Sequence, residues 1–567
     1  MHLTRRSWLA GSAMLAAAPI GAMAAALPPT ITVLTPGSRD PSAMLGMLAS
    51  YAAAELAAYG LPGMMLAISA PGGLRATIAL GYADLERRLP MKPGHVVQIG
   101  SISKSLVALA LFRLAAEGRF DLDAPVSAVL PDAPWPAAPL TVAMLLNHSA
   151  ALPDTFNIFP RSPDGRLWTN FEPGKHFYYS NLGFNLLGAM LARASGMPFP
   201  QAMRKLALEP LGMTSAHPVI VTRDRASYAV GYQQFDDRPW APDKTLAPAP
   251  WIEIDMPAGS VAATAADMLR YIEAWTVLGS GKGGGLLPDA LARRLVTPTI
   301  LAPDFGERAH YANGIAVVSI DGPACLHHTG GMPAFHSSVT IDPAAGGVFA
   351  STNSGAGDYR PRGVTFYGAR LVRAWSEGRS LPPPPAITAV APMAQPARLT
   401  GRFLAANGDV IVIRSDPLGL VADADGTSGR LVMAGETRFV VDHPRLSRHE
   451  LQVEGKDPAV QKLWWGATLY GRDRAIPTPP PAASIRAFAG LYQSADPWFG
   501  GVAVVARGDA LVMEGMGEIA RSPDGSWRTM GDDQKGERFW FEAMMDGVPQ
   551  RCIVGDIDMH RFHDDSA

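Results

Sequence analysis

The chain has 567 residues and a mass of 60.1 kDa, long enough for about three to five domains. Hydrophobic residues make up 48% and charged residues 18%, a globular rather than a disordered composition. With 49 basic and 51 acidic residues the net charge is -2, and no basic excess exists to release counterions from a nucleic acid, so no such partner is expected.

Residues 1–26 read as an export signal. Thr4-Arg5-Arg6-Ser7-Trp8-Leu9 opens it, an Ala-rich apolar stretch follows, and Ala22-Met23-Ala24 is a small-residue cleavage pattern. The paired arginines have the form of a twin-arginine signal, which predicts a periplasmic or secreted protein. No later stretch approaches the roughly 20 apolar residues of a membrane span, so none is expected once the signal is removed. Cys325 and Cys552 make no disulfide framework and no C-x-x-C zinc spacing, and are expected as free, buried thiols.

From residue 27 to 380 strands and helices mix. Met64–Ala70 and Leu74–Gly81 read as a hairpin around Pro71-Gly72-Gly73. Ser101–Glu117 is a helix with little polar face, closed by Gly118 and expected at the centre. Helices are also expected at Gly183–Ser195, Ala263–Leu278 and Val364–Trp375, and strands at Asn313–Ser319, Phe335–Ile341 and Gly347–Asn353. Strands at both ends with helices between them predict an antiparallel sheet assembled from the two termini.

Proline-rich breaks at 381–396 and 476–483 act as semi-rigid spacers and set off two small units, 397–475 and 484–567. Both open on Gly-x-aromatic, Gly401-Arg402-Phe403 and Gly490-Leu491-Tyr492, and continue as short alternating strands. That self-similarity predicts two duplicated all-β barrels, with one shared sandwich as the alternative.

Three elements carry the chemistry. In Gly100-Ser101-Ile102-Ser103-Lys104, residues 101 and 104 share a helix face, so the lysine can reach the hydroxyl. A serine needs a base before it attacks, and a desolvated lysine loses its proton easily enough to be one. Lys104 is the only one of nine lysines with Ser three residues earlier. In Tyr178-Tyr179-Ser180-Asn181 a tyrosine at a helix entry can move a proton and an asparagine can bind an amide; the plainer reading is a packed tyrosine with Asn as helix cap. Tyr311-Ala312-Asn313 has the same form, but lies just before an expected strand and 17 residues ahead of the third element, and is set aside. That third element is His328-Thr329-Gly330 followed by Gly331, on or beside a strand whose glycines let a substrate backbone approach. No third ligand stands at metal spacing near His327-His328, so no metal or cofactor is expected.

In that order the elements resemble the serine β-lactamase and penicillin-binding-protein family, in the branch of class C β-lactamases, DD-peptidases and D-aminopeptidases. Leu145-Leu146-Asn147-His148-Ser149, Phe171-Glu172-Pro173-Gly174, Pro210-Leu211-Gly212-Met213 and Pro257-Ala258-Gly259-Ser260 look like it too. Two departures stand out: His328, where β-lactamases usually carry the lysine that helps bind a substrate carboxylate, and Ala150-Ala151, where Gly is frequent. The resemblance implies an α/β (α+β) β-lactamase/transpeptidase-like domain followed by the two barrel-like units.

It also implies roles. Ser101 would be the nucleophile of an acyl-enzyme, Lys104 and Tyr179 would share the acid/base work, and Asn181, His328, Thr329 and Gly330 would line the substrate. The backbone N–H groups of Ser101 and Gly331 would form the oxyanion hole. The expected partner is a small-molecule or peptide substrate, of D-amino-acid amide or ester type, with a class C-like β-lactamase as the alternative activity. An α/β-hydrolase is excluded, because no G-x-S-x-G elbow occurs. A non-catalytic penicillin sensor or cell-wall scaffold is the rival of another class.

Overall fold

The computed structural model describes residues 27–155, 157–158, 162, 164–234, 246–355, 359–387, 396–416, 419–435, 437–454, 459–495, 500–530 and 537–562. The export signal expected at 1–26 lies outside them, as does part of the first proline-rich break.

The larger unit is built on one antiparallel sheet. In chain order its elements are β1 (Thr30–Thr35), α1 (Ser42–Tyr59), β2 (Gly63–Ala70), β3 (Leu74–Asp84), α2 (Ser103–Ala116), α3 (Asn181–Ser195), α4 (Ala265–Gly279), β4 (Ile300–Leu301), β5 (His310–Tyr311), β6 (Ala316–Ser319), β7 (Ala324–Met332), β8 (Phe335–Asp342), β9 (Gly346–Thr352) and α5 (Arg362–Glu377). The strands lie in the order β1-β3-β2-β9-β8-β7-β6-β5-β4, with a short tenth strand, Leu89–Pro90, paired to β3. β2 pairs with β9, Leu66 opposite Ala350, which joins the two ends of the unit in one sheet as expected.

Strand alternation sorts the core into two faces. Leu66, Ile68 and Val348 pack under Leu45, Leu48 and Leu56 of α1 and Leu371 and Trp375 of α5. Met65, Ala67 and Phe349 face α2 and α4. Because both faces are covered, β2 is buried along its whole length. β1 and α1 are additional to the expected elements. β1 alternates Thr with apolar residues but buries neither face, and α1 begins after Pro41, where Asp40 Oδ1 accepts from Ser42 N at 3.0 Å. β6 starts three residues later than expected because Gly314 turns the chain at φ 75°.

The small units are two separate eight-stranded closed barrels, so the shared sandwich is ruled out. Each closes first strand on last, Phe403 opposite Arg472 and Leu491 opposite Phe562. The repeated motif has a packing cause. An arginine of each last strand stacks on the motif aromatic, Arg472 on Phe403 at 4.9 Å and Arg561 on Tyr492 at 5.7 Å. A Cβ on Gly401 would meet Arg472 at 2.1 Å, and one on Gly490 would meet Arg561 at 2.9 Å. Cys325 and Cys552 are free and buried.

Candidate active site

The site forms where the start of α2 meets the edge of β7. A 3-10 turn, Gly100–Ile102, leads into α2, and eleven of its residues, Lys104 among them, are buried. Gly100 stands at φ 54° and a Cβ there would lie 2.8 Å from the backbone N of Gly331; one on Gly330 would lie 2.0 Å from the Ile99 carbonyl. The glycines at 100 and 330 therefore permit the backbone contact that sets Ser101 beside β7.

Lys104 is fully buried, and its Nζ donates to three oxygens: Ser101 Oγ at 2.9 Å, Asn181 Oδ1 at 2.7 Å and the Ala258 carbonyl at 2.8 Å. Burial pushes its pKa down to about 7, with the Asp154 carboxylate pulling it back up. Two of the three partners can only accept. A neutral amine keeps its two hydrogens on the Ala258 and Asn181 oxygens and turns its lone pair to Ser101.

Tyr179 stands over Lys104, whose Nζ lies 4.8 Å from the ring centre. Burial raises its phenol well above 10, partly offset by a hydrogen bond with Ser101. It stacks at 4.4 Å on His148, which lies at φ 61° and whose Nδ1 accepts from the Ser180 N–H at 3.0 Å. The cap of α3 is Ser180, its Oγ accepting from Gly183 N at 3.1 Å, so the helix begins at Asn181, two residues earlier than expected. Asn181 is thereby released from capping to bridge Lys104 and Asp154, whose Oδ1 accepts from both its backbone N and its Nδ2 at 2.9 Å. Asp154 keeps an exposed edge at the mouth, and the protein around it raises its carboxyl to about 6.

His328, Thr329, Gly330 and Gly331 all lie on β7. Arg360 Nη1 donates to the Gly330 carbonyl at 3.3 Å, and a Cβ on Gly331 would meet its guanidinium at 2.3 Å. His328 is buried against Phe305 and Tyr311, and burial, then the Lys104 charge, pushes its pKa down to about 3. It is a neutral residue and supplies no cation.

The second barrel reaches this site. Glu537 Oε1 accepts from Tyr178 Oη at 2.6 Å and from Asp154 N at 2.9 Å. Asp556 accepts from Asn157 N at 2.6 Å, and Trp540 packs edge-on against Trp168 at 5.2 Å. A cleft is lined by Gln98, Tyr228, Trp251, Pro333 and Phe335, of which Gln98 stands three residues before Ser101 and Pro333 two after Gly331 in the chain.

The sequence elements at 101–104, 179–181 and 328–331 thus converge as expected. Asp154, the Ala258 carbonyl and Glu537 carried no local motif of their own, and Tyr311 stood in a Y-x-N sequence that was set aside. His148 and Ala258 sit in stretches noted for family likeness, which was the available signal.

A family model described as Beta-lactamase matches residues 48–372. The chain belongs to the β-lactamase family. An esterase, EstB, of Burkholderia gladioli is 28% identical over 354 residues, covering 56% of this chain and 86% of its own. A D-aminopeptidase of Gluconobacter oxydans is 26% identical over 295 residues, 49% of this chain and 52% of its own. Several curated relatives, the D-aminopeptidase among them, are thus spanned over only about half their length. The octameric penicillin-binding protein homologue from Pyrococcus abyssi superposes with a TM-score of 0.54 at 22% identity, over 75% of this chain and 99% of its own, a likeness of fold. Those relatives carry esterase and D-aminopeptidase names, and the family is what they share with this chain.

Proposed function

We propose that the chain is an exported serine hydrolase that works through an acyl-enzyme at Ser101 on amide or ester substrates of D-amino-acid type. The observation that carries the reading is the buried Lys104 amine, its lone pair free to face Ser101 Oγ once it is neutral. In acylation the Ser101 proton passes to Lys104 Nζ as Oγ bonds to the substrate carbonyl carbon. The carbonyl oxygen takes the negative charge, and the Ser101 and Gly331 N–H groups stabilise it. The leaving amine or alkoxide receives the Tyr179 proton, which Lys104 restores. A water deprotonated by the same pair then releases the acid and frees Ser101.

His328 does not take the base role. Its Nδ1 lies 2.6 Å from the Thr329 carbonyl and its Nε2 2.9 Å from Tyr311 Oη, so both nitrogens are occupied away from Ser101. The open edge of Asp154 beside Asn181 supports a substrate that carries an amino group near its scissile bond, and the likeness to a D-aminopeptidase supports the same class. Export rests on the pattern of residues 1–26.

Intact mass over time with a D-amino-acid ester and with a penicillin, beside Ser101→Ala, tests this. An adduct or turnover in the wild type alone is expected. Equal hydrolysis by Ser101→Ala would refute the nucleophile, and rapid penicillin consumption with little ester turnover would move the reading to a β-lactamase.

A further inference from the structure

Tyr311, set aside as a motif, lies fully buried on β5 with its hydroxyl 2.9 Å from Nε2 of His328. Donors and acceptors can be assigned here. The Thr329 carbonyl 2.6 Å from Nδ1 only accepts, so Nδ1 carries a hydrogen. Burial raises the Tyr311 phenol well above its ordinary value, so it keeps its proton. The bond to His328 is the one its hydroxyl makes among the described residues. Phe177 and Phe305 pack on it at 5.4 Å, and His148 at 4.9 Å. The phenol O–H therefore donates to Nε2, which accepts.

We propose that Tyr311 is a positioning residue: by donating to Nε2 it locks His328 as the neutral Nδ1–H tautomer, so that Lys104 and Tyr179 work beside an uncharged wall. A second proton on the ring would have to sit on Nε2. Tyr311 Oη would then accept, and its own hydrogen would turn into the aromatic cage with no acceptor, the cost of an unsatisfied buried donor. The groups that face the ring are Lys104 from α2, Tyr179 and His148 from the loops that flank it, Tyr311 from β5 and the neighbouring His327. Lys104 is the charge among them that acts on His328, and it opposes protonation. A cation at 328 would in turn depress Lys104 further and move the rate profile.

This rests on Ser101 and Lys104 being the reacting pair, and the test separates the two ideas. The full chain, labelled with 15N-histidine, should show His328 neutral with hydrogen on Nδ1 from pH 5 to 8. His328→Asn identifies the signal. In Tyr311→Phe the ring should titrate, and the acylation rate of an activated ester should gain a second inflection between pH 5 and 7, with a gain of up to about tenfold at pH 6 as the cation lowers the Lys104 pKa. An imidazolium or an Nε2–H tautomer in the wild type at pH 6 overturns the proposal even if the variant does not fold. A Tyr311→Phe profile of unchanged shape overturns it too, whatever the change in rate. A protein with no Ser101-dependent turnover would sink the hydrolase reading and leave the NMR result to stand.

Discussion

Asp154→Asn tests how Lys104, the proposed base, is tuned. The substitution keeps an oxygen to accept from Asn181 N and Nδ2 but removes the carboxylate charge that raises the Lys104 pKa. Two hydrogen bonds and one amide group separate the charges, so they stand at most about 8 Å apart, and Coulomb's law at an effective dielectric near 20 gives about 2 kcal/mol. Asp154 has an open edge, and solvent screening reduces that figure to roughly 0.5–2 kcal/mol, or about 0.4–1.5 pH units. The sign follows from which form is active. In the proposed mechanism neutral lysine is the base, so wild-type acylation should rise with pH through about 7. Asp154, raised to about 6, is mostly ionised there. Without its charge the ammonium is less favoured, and the rising limb moves to lower pH. Stopped-flow acylation by an activated ester from pH 5 to 9 should show the variant faster near pH 6 and equal to wild type above about pH 8.5. A limb that stays put or moves upward would refute the electrostatic link between the two groups.

The glycines of β7 should differ sharply. Gly330→Ala drives a methyl to 2.0 Å from the Ile99 carbonyl and should cost about 1–3 kcal/mol or more in a thermal melt, with activity lost. Gly331→Ala meets the movable end of Arg360 and should melt near wild type with a changed KM. Glu537→Ala orphans the Tyr178 hydroxyl, at about 1–3 kcal/mol, and leaves the exposed Asp154 N–H to water, and should lower both urea stability and kcat/KM, while Glu537→Gln, which still accepts, should stay close to wild type. Arg373→Met breaks the buried pair with Asp342, where Nε and Oδ2 lie 2.5 Å apart, and should cost about 3–5 kcal/mol in urea without moving the pH profile.

Much of this protein is local. The S-x-x-K spacing puts Ser101 and Lys104 on one turn whatever surrounds them, because helix geometry alone sets that distance. The apolar circumference of 103–116 foretold its burial, and the doubled Gly-x-aromatic motif foretold two barrels, each needing room for the arginine that closes it. The tertiary structure decided how those pieces are tuned. Whether Lys104 is charged depends on burial and on Asp154, fifty residues along the chain and joined to it through Asn181. Whether His328 is a cation depends on its burial and on Lys104, and its Nε2 meets Tyr311, a residue whose sequence context resembled a different motif. Asp154 in turn is held by Glu537, 383 residues away. Such contacts come from the folding of distant segments against one another, and a proton's preferred place depends on what surrounds it in three dimensions, which no spacing along the chain encodes.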